Sequence, residues 1–200
     1  MPPEFSIVGT LAEITETFAQ GQGRETPFKD AGLIINRKVH TLKVKANYSG
    51  PYTNLGDVLL PEKDVPEEFF VDCESLQRWK YLKGRKSEMR QATNGHEYHY
   101  SEGEMTFPDP LDKPSRTIIT GEGGSSPSRF KHIVQQTPNG RYRRLTPVEL
   151  ERLDMFPDNH TAGKTDQQRA FFLGNALVVG IIQKIGEKLY IQAKRNGDIS

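Results

Sequence analysis

The sequence predicts an α+β fold in which an irregular, mostly β region is followed by a helical carboxyl-terminal tail. Short apolar runs broken by turn formers extend over residues 5–142, and helix signals dominate residues 143–200. Only 34% of the 200 residues are apolar, while 18 glycines and 13 prolines favour turns. We therefore expect a modest core joined by many irregular connections.

The first elements of the β region are expected to be short. Residues 41–45 alternate apolar and polar side chains with the period of two that favours a strand with one exposed face. Residues 53–60 and 75–81 are typical of short helices, and Ser75 is the predicted N-cap of the second.

Two further β signals follow. The turn pairs Asn94-Gly95 and Glu102-Gly103 flank a run rich in aromatic residues, which predicts a β-hairpin. Residues 116–120 form a β-branched run, which predicts a strand leading into a flexible, glycine-rich polar loop at residues 121–127.

The carboxyl-terminal tail carries the clearest helix signals. Thr146, Pro147 and Glu149 combine an N-cap hydroxyl, a first-turn proline and the glutamate of a capping box. Asp166 is the predicted cap of a second helix. Its apolar positions recur at helical spacing and predict one buried face, formed by Val178, Ile181, Ile182, Ile185 and Leu189.

Charge and cysteine content exclude several classes of protein. The 27 basic and 26 acidic residues give a net charge of +1, so a site for a polyanion must be local. The single cysteine, Cys73, cannot form an internal disulfide and is expected to be a buried, inert thiol. Neither a secretory signal nor an apolar run of bilayer-spanning length is recognisable, so we expect a cytoplasmic protein without membrane contact.

Two segments of the tail resemble the last two conserved motifs of the DNA cytosine-5 methyltransferases. Residues 143–158 read RRLTPVELERLDMFPD, and residues 174–177 read GNAL. Val148 departs from the family pattern, which usually has arginine there. Residues 114–118 and the glycine-rich loop look like the second half of that family's target recognition domain, so the clear resemblance covers about residues 114–189.

Other motifs of this family are missing from the chain. The sequence contains no Phe-x-Gly-x-Gly cofactor loop, no Pro-Cys dipeptide, no Glu-Asn-Val and no Gln-x-Arg-x-Arg. The resemblance therefore implies a carboxyl-terminal portion, with a target recognition domain at residues 1–142. Residues 143–200 would contain the last motifs and a closing helix that docks on a Rossmann-like methyltransferase domain. A partner subunit would supply the catalytic cysteine, and this chain alone is expected to be inactive.

The resemblance also assigns roles to residues in the tail. It places Gly174, Asn175 and Ala176 near the methionine end of S-adenosylmethionine, shared with the partner, although the following helix would pack in a core in either case. Arg143 is expected to organise the recognition domain rather than to catalyse, and the same structural motif includes Thr146, Pro147 and Glu149.

Double-stranded DNA is the expected substrate, and two regions are candidates for its contacts. Residues 76–91 carry six basic residues and one acidic residue, interleaved with Trp79 and Tyr81, which fits phosphate binding or a solvated face of a charged helix equally well. Beyond the glycine-rich loop, Lys131 and His132 belong to the second region, whose alternative is an exposed strand end. The candidate DNA-binding residues are Arg78, Lys80, Arg85, Lys86, Thr117, Thr120, Gly121, Gly123, Gly124 and Arg129.

Two alternative functions stay open at this point. The chain could be a stand-alone DNA-binding remnant or regulator, although exposed apolar residues would then have no use. An unrelated enzyme built on Cys73 or on His96 and His99 has no supporting constellation, and no metal site is expected because these histidines lie in a predicted hairpin. A restriction-modification system is the usual setting of the family that the tail resembles.

Overall fold

A computed structural model describes residues 4–10, 12–13 and 29–198, which fall in two compact units, Met1–Pro51 and Tyr52–Ser200. The described part of the first unit is an antiparallel sheet of β1 (Glu4–Ser6), β2 (Ala31–Ile35) and β3 (Lys38–Leu42), in the order β1-β3-β2. The predicted strand at residues 41–45 is thus shifted toward the amino terminus. Its alternation directs Val39 and Thr41 inward, each 2% exposed.

The turn between β2 and β3 has a clear local cause. Asn36 and Arg37 have φ angles of 48° and 64°, the left-handed values of a two-residue hairpin turn. This turn sets the register in which Ile35 faces Lys38 and Ala31 faces Leu42.

The second unit contains four further strands and five helices within its described residues, together with 3-10 turns at Glu62–Asp64 and Glu67–Phe69. Two pairs of antiparallel strands form separate two-stranded sheets, β4 with β5 and β6 with β7. The elements are α1 (Leu55–Val58), α2 (Cys73–Lys83), β4 (Lys86–Gln91), β5 (Glu97–Glu102), β6 (Val134–Gln135), β7 (Tyr142–Arg143), α3 (Pro147–Leu153), α4 (Asp166–Gly174) and α5 (Val179–Asn196).

The core of the second unit lies between α1, α3, α4 and the strand β6. Its buried side chains are Leu55, Val58, Val134, Leu145, Leu150, Ala170 and Leu173. The predicted α+β class agrees with this mixture of helices and small sheets. The predicted functional division after residue 142 stays a prediction, and β7 itself spans that position.

Local capping rules predict one helix start correctly and place two others one to three residues too late. Thr146 caps α3, and its Oγ1 accepts a hydrogen bond from the Glu149 amide at 3.3 Å. Asp72, not Ser75, caps α2, because its carboxylate accepts the Ser75 amide at 2.5 Å. Thr165, not Asp166, caps α4, since its hydroxyl accepts the Gln168 amide at 3.3 Å. Cys73 lies in the first turn of α2 and is exposed, so the expected buried thiol is wrong.

The predicted hairpin is confirmed, whereas the predicted strand at residues 116–120 does not form. The turn at Asn94 and Gly95 joins β4 to β5. Residues 116–120 run past the end of α4, where a Cβ added to Gly174 would overlap the backbone of Ile119 and Thr120. In the described structure this segment therefore packs on a helix end and pairs with no strand.

The apolar face of α5 is exposed in the described structure, which contradicts the prediction of a buried face. Ile181, Ile185 and Leu189 are 56%, 51% and 66% exposed. The helical spacing is as expected, but no described element of the chain covers this stripe. By length and composition alone, the stretch Asp166–Asn196 would suffice to cross a membrane, a weak indication because helices that dock on proteins share these properties.

Replacement of Gly174 by alanine is expected to destabilise the chain by roughly 1–3 kcal/mol, because the added methyl group meets backbone that cannot rotate away. Gly186→Ala is the matched control in α5, where nothing lies within 4 Å of the new methyl group. That control should stabilise the helix by about 0.5–1 kcal/mol. Thermal unfolding of both variants measures the difference, and an unchanged Gly174→Ala variant would contradict the close approach.

Candidate cofactor and DNA interface

A cavity of about 760 Å³ brings together several residues that the sequence analysis singles out. Thr117, Gly174 and Ala176 line it, together with the end of α3 and the beginning of α5. Asn175 is exposed instead, and its Nδ2 donates a hydrogen bond to the carbonyl of Phe171 at 2.9 Å. Two of the three predicted cofactor residues therefore face the same space as Thr117.

The walls of the cavity are joined by backbone contacts between α3 and α5. The amide of Val179 donates to the carbonyl of Asp154 at 2.9 Å, which joins the start of α5 to the end of α3. Gly180 lies directly against the Met155 side chain, and a Cβ at this position would clash with the sulfur. Met155 itself has a φ of 64°. The start of α5 is thus held against the residues that follow α3 by close packing.

Arg143 and Glu149 form a fully buried, bidentate ion pair. Arg143 Nη1 and Nη2 donate to Glu149 Oε2 and Oε1 at 2.9 and 2.7 Å, and the two side chains are 1% and 0% exposed. Glu149 also accepts the amides of Leu60 at 2.8 Å and Thr146 at 2.7 Å. Arg143 Nε donates to Gln136 Oε1 at 2.8 Å. This geometry organises three segments and leaves the pair no access to a substrate.

A second network holds the loop between α3 and α4. Glu151 Oε1 accepts hydrogen bonds from Arg169 Nη2 at 2.9 Å and from the Thr161 amide at 2.8 Å, and Oε2 accepts the Asn159 amide at 2.6 Å. Burial alone raises the pKa of Glu151, but the hydrogen bonds from Thr161, Arg169 and Asn159 outweigh it and hold that pKa below its usual value.

The glycine-rich loop is anchored rather than free. Lys131 Nζ donates to the carbonyls of Gly124 and Ser126, both at 2.8 Å. Glu122 accepts the His132 amide at 3.0 Å and lies 2.9 Å from Nδ1 of the same residue. Gly123 packs closely on the backbone of α4. The expected flexible loop is therefore fixed from both sides, while Thr120 and Gly121 stay exposed.

The predicted basic residues divide into exposed and internally paired groups. Arg78, Lys80 and Arg85 are exposed, and the Arg78 guanidinium lies 5.6 Å from the centroid of the Tyr81 ring. Lys86 is buried, with Nζ at 2.9 Å from the Leu82 carbonyl and 2.7 Å from Glu102. The segment 76–91 is thus neither one helix nor a uniform basic face.

Arg129 is engaged within the chain in the same way. Its Nη1 lies 3.2 Å from Glu102 and its Nη2 donates to the Gly103 carbonyl at 2.5 Å. Together with Lys86 it clamps the base of the β4–β5 hairpin. The tip of that hairpin, at Asn94 and Gly95, is exposed.

Sequence reasoning misses two buried aspartates. Asp109 accepts Arg116 Nε at 2.6 Å and the Ile133 amide at 2.8 Å. Burial opposes ionisation, yet these hydrogen bonds and the Lys83 charge keep the pKa of Asp109 below its usual value. Asp154 lines the cavity, and burial raises its pKa to about 6. No local pattern marks either residue, because each environment is built by distant segments.

Loss of one member of the buried pair should lower the stability of the chain far more than loss of an exposed pair. Arg143→Ala and Glu149→Ala are each expected to lower the free energy of unfolding by about 3–5 kcal/mol, since the remaining charge stays buried and unpaired. Glu67→Gln, which removes an exposed pair with Arg141, should leave the melting temperature unchanged. Calorimetric unfolding compares the three variants, and equal losses would contradict the bracing role of Arg143.

Comparison with known proteins agrees with the motifs. The profile of the C-5 cytosine-specific DNA methylase family matches residues 14–190. The Type II methyltransferase M.Sau3AI of Staphylococcus aureus is 39% identical over 183 residues, which are 92% of this chain and 41% of that protein. The Type II methyltransferase M.NlaX of Neisseria lactamica is 27% identical over 140 residues, 70% of this chain and 40% of that protein. The chain thus spans about two fifths of the length of these relatives, and it belongs to the C-5 cytosine-specific DNA methylase family.

Proposed function

We propose that this chain is the DNA-recognition and closing portion of a DNA cytosine-5 methyltransferase. It works with a catalytic portion that carries the Pro-Cys and Phe-x-Gly-x-Gly motifs, and together they transfer a methyl group from S-adenosylmethionine to C5 of cytosine. A type II restriction-modification system is the proposed setting, since both relatives are type II methyltransferases. The cytoplasmic location stays a prediction.

The exposed apolar face of α5 carries this proposal. Ile182 and Tyr190 are 44% and 53% exposed in addition to the residues described above, and Phe171, Leu177 and Val179 extend the surface toward the cavity. Burial of each large apolar side chain is worth about 1.5–3 kcal/mol. A surface with these eight exposed apolar side chains favours a protein partner. It disfavours the alternative of a stand-alone DNA-binding remnant.

The cavity supports a contact with the cofactor. Gly174 and Ala176 are part of its lining, and neither has a side chain larger than a methyl group, so this part of the wall takes little space from a ligand. Gly174 and Ala176 would contact the methionine end from the cavity wall, with Asn175 beside them on the exposed side of the turn, while the catalytic portion would hold the remainder. S-adenosylmethionine, when bound, supplies the methyl group. The lining residues fit as one wall of such a site, and they include no cysteine that could serve as the nucleophile of the reaction.

The DNA contacts are proposed to come from the exposed cations of α2 and the segment after it. Arg78, Lys80 and Arg85 are available for phosphates, whereas Lys86 and Arg129 hold the hairpin base. Thr117, Thr120 and the glycines at 121, 123 and 124 are proposed to lie beside the DNA. A cytosine that is flipped out of the duplex would be enclosed between the DNA-recognition portion and the catalytic portion, which fits these separate roles.

Purification of the tagged chain from its own cells tests the proposed function. We expect one partner at near-equal stoichiometry, with Pro-Cys and Phe-x-Gly-x-Gly motifs in its sequence. The purified pair should methylate cytosine in double-stranded DNA, and this chain alone should not. Methyl transfer by the highly purified chain alone would contradict the division of roles, and absence of any such partner would favour the DNA-binding remnant.

A triple variant tests the DNA surface. Arg78→Ala, Lys80→Ala and Arg85→Ala together should weaken DNA binding by the pair for all sequences and reduce the slope of log affinity against log salt by about 2–3. The matched control is the triple alanine variant of Lys63, Lys113 and Lys164, which removes the same charge from other exposed positions. Equal losses in the two variants would indicate a nonspecific charge effect instead of a DNA surface.

A further inference from the structure

We propose that Asp154 receives a cationic side chain, lysine or arginine, which the catalytic portion inserts into the cavity when it covers α5. This inference rests on the proposed function and adds a specific ionic contact to the apolar docking surface. The residues that carry it are Asp154 at the end of α3, the other charged groups around the cavity, and the apolar wall that continues into α5.

Asp154 is an incomplete site within the described residues. Asp154 is one of the residues that line the cavity, and it is 5% exposed. The Oδ2 atom has no hydrogen-bond partner among the described residues, and it is the one buried side-chain oxygen or nitrogen there of which this holds. A buried carboxylate oxygen without a hydrogen-bond donor destabilises the chain, because it has lost its hydration without gaining a partner. A donor from outside would remove this destabilisation.

The cations closest to the cavity are already occupied. Arg152 donates to Asp158 at 2.8 and 2.6 Å and to the Val58 carbonyl at 3.0 Å. Arg116 donates to Asp109 at 2.6 Å and to the Phe130 carbonyl at 3.0 Å. These two arginines and Asp154 are the charged residues of the lining.

The remaining elements around the cavity present uncharged side chains. α1 contributes Val58, the end of α4 contributes Leu173 and Gly174, and the start of α5 contributes Ile181. No residue that the structure describes is therefore placed to neutralise Asp154, and in this proposal the complementary charge comes from the catalytic portion.

The shape and polarity of the cavity favour a protein side chain as the source of that charge. Val178 and Ile181 line the cavity, and the same helix continues outward into the exposed Ile182 and Ile185. Lysine and arginine have aliphatic stems that pack on such a wall while the charged head reaches a carboxylate. A small cation could pair with Asp154, but it would leave the exposed apolar side chains of α5 outside the cavity uncovered. A protein segment can do both. About three fifths of each relative's length lies outside the match, which leaves ample protein to supply the contact.

The proposal has opposite consequences for the free chain and for the complex. In the free chain, Asp154→Asn removes an unpaired buried charge, so its melting temperature at pH 8 should rise. In the complex, the same change removes the acceptor of the incoming cation, so association should weaken about tenfold or more. A residue with only an internal structural role would not give opposite signs.

The pH dependence follows from the state of Asp154 before docking. Its pKa is about 6 in the free chain and would fall when a cation docks, so docking at low pH must first release a proton. Affinity should therefore be full above pH 7 and fall about tenfold by pH 5. Asp154→Asn should show no such fall.

Titration calorimetry of the chain against its co-purified catalytic portion, without S-adenosylmethionine, tests the inference between pH 5 and 8. Asp112→Asn, at an exposed aspartate, is the matched control and should behave as the wild-type chain. Wild-type affinity for Asp154→Asn at all pH values would overturn the inference while leaving the proposed function intact. In a second titration, of the assembled pair with S-adenosylmethionine, an Asp154→Asn variant that loses cofactor affinity but keeps wild-type affinity for the catalytic portion would overturn the inference in favour of the cofactor as the cation. No binding by the wild-type chain would overturn the proposed function and this inference together.

Discussion

The buried pair of Arg143 and Glu149 is the constraint on which the second unit depends. Its atoms join the backbone after α1 at Leu60, the hairpin of β6 and β7 through Gln136, and the start of α3 at Thr146. Each of these segments ends near the pair, and none has an extensive sheet or long helix to position it otherwise. A loop-rich chain thus acquires a rigid centre from one bidentate interaction and the hydrogen bonds around it.

Several cations in the described part of the chain act as internal braces. Lys83 and Arg144 donate to main-chain carbonyls of distant segments, and Lys131 donates to two carbonyls of the preceding loop. Burial lowers the pKa of each of the three. Irregular backbone leaves many carbonyls without ladder partners, and long basic side chains satisfy them. The number of basic residues in a segment therefore overstates the charge available to DNA. The proposed DNA surface is correspondingly small and local, which agrees with the near-zero net charge.

The features that the sequence predicts well depend on residues that lie a few positions apart in the chain. The capping box at Thr146 and the turn at Asn94 and Gly95 depend on neighbours in the chain, and both form as expected. The segment at residues 116–120 and the carboxylate of Asp154 depend on where α4 and α5 pack, which no local pattern encodes. The periodicity of α5 predicts an apolar face correctly, but it contains no information on which molecule covers that face. The family motifs identify the class of protein, while the individual cofactor and DNA contacts stay predictions.

The clamped hairpin of β4 and β5 has a consequence for how this protein can diverge. Glu102 fixes its base through Lys86 and Arg129, and the strands beyond carry mostly exposed side chains up to the tip at Asn94 and Gly95. Changes of length or composition beyond the clamp leave the core untouched. Such a module can accumulate sequence variation at little cost to folding, so related proteins can acquire different surfaces here while their central framework stays the same.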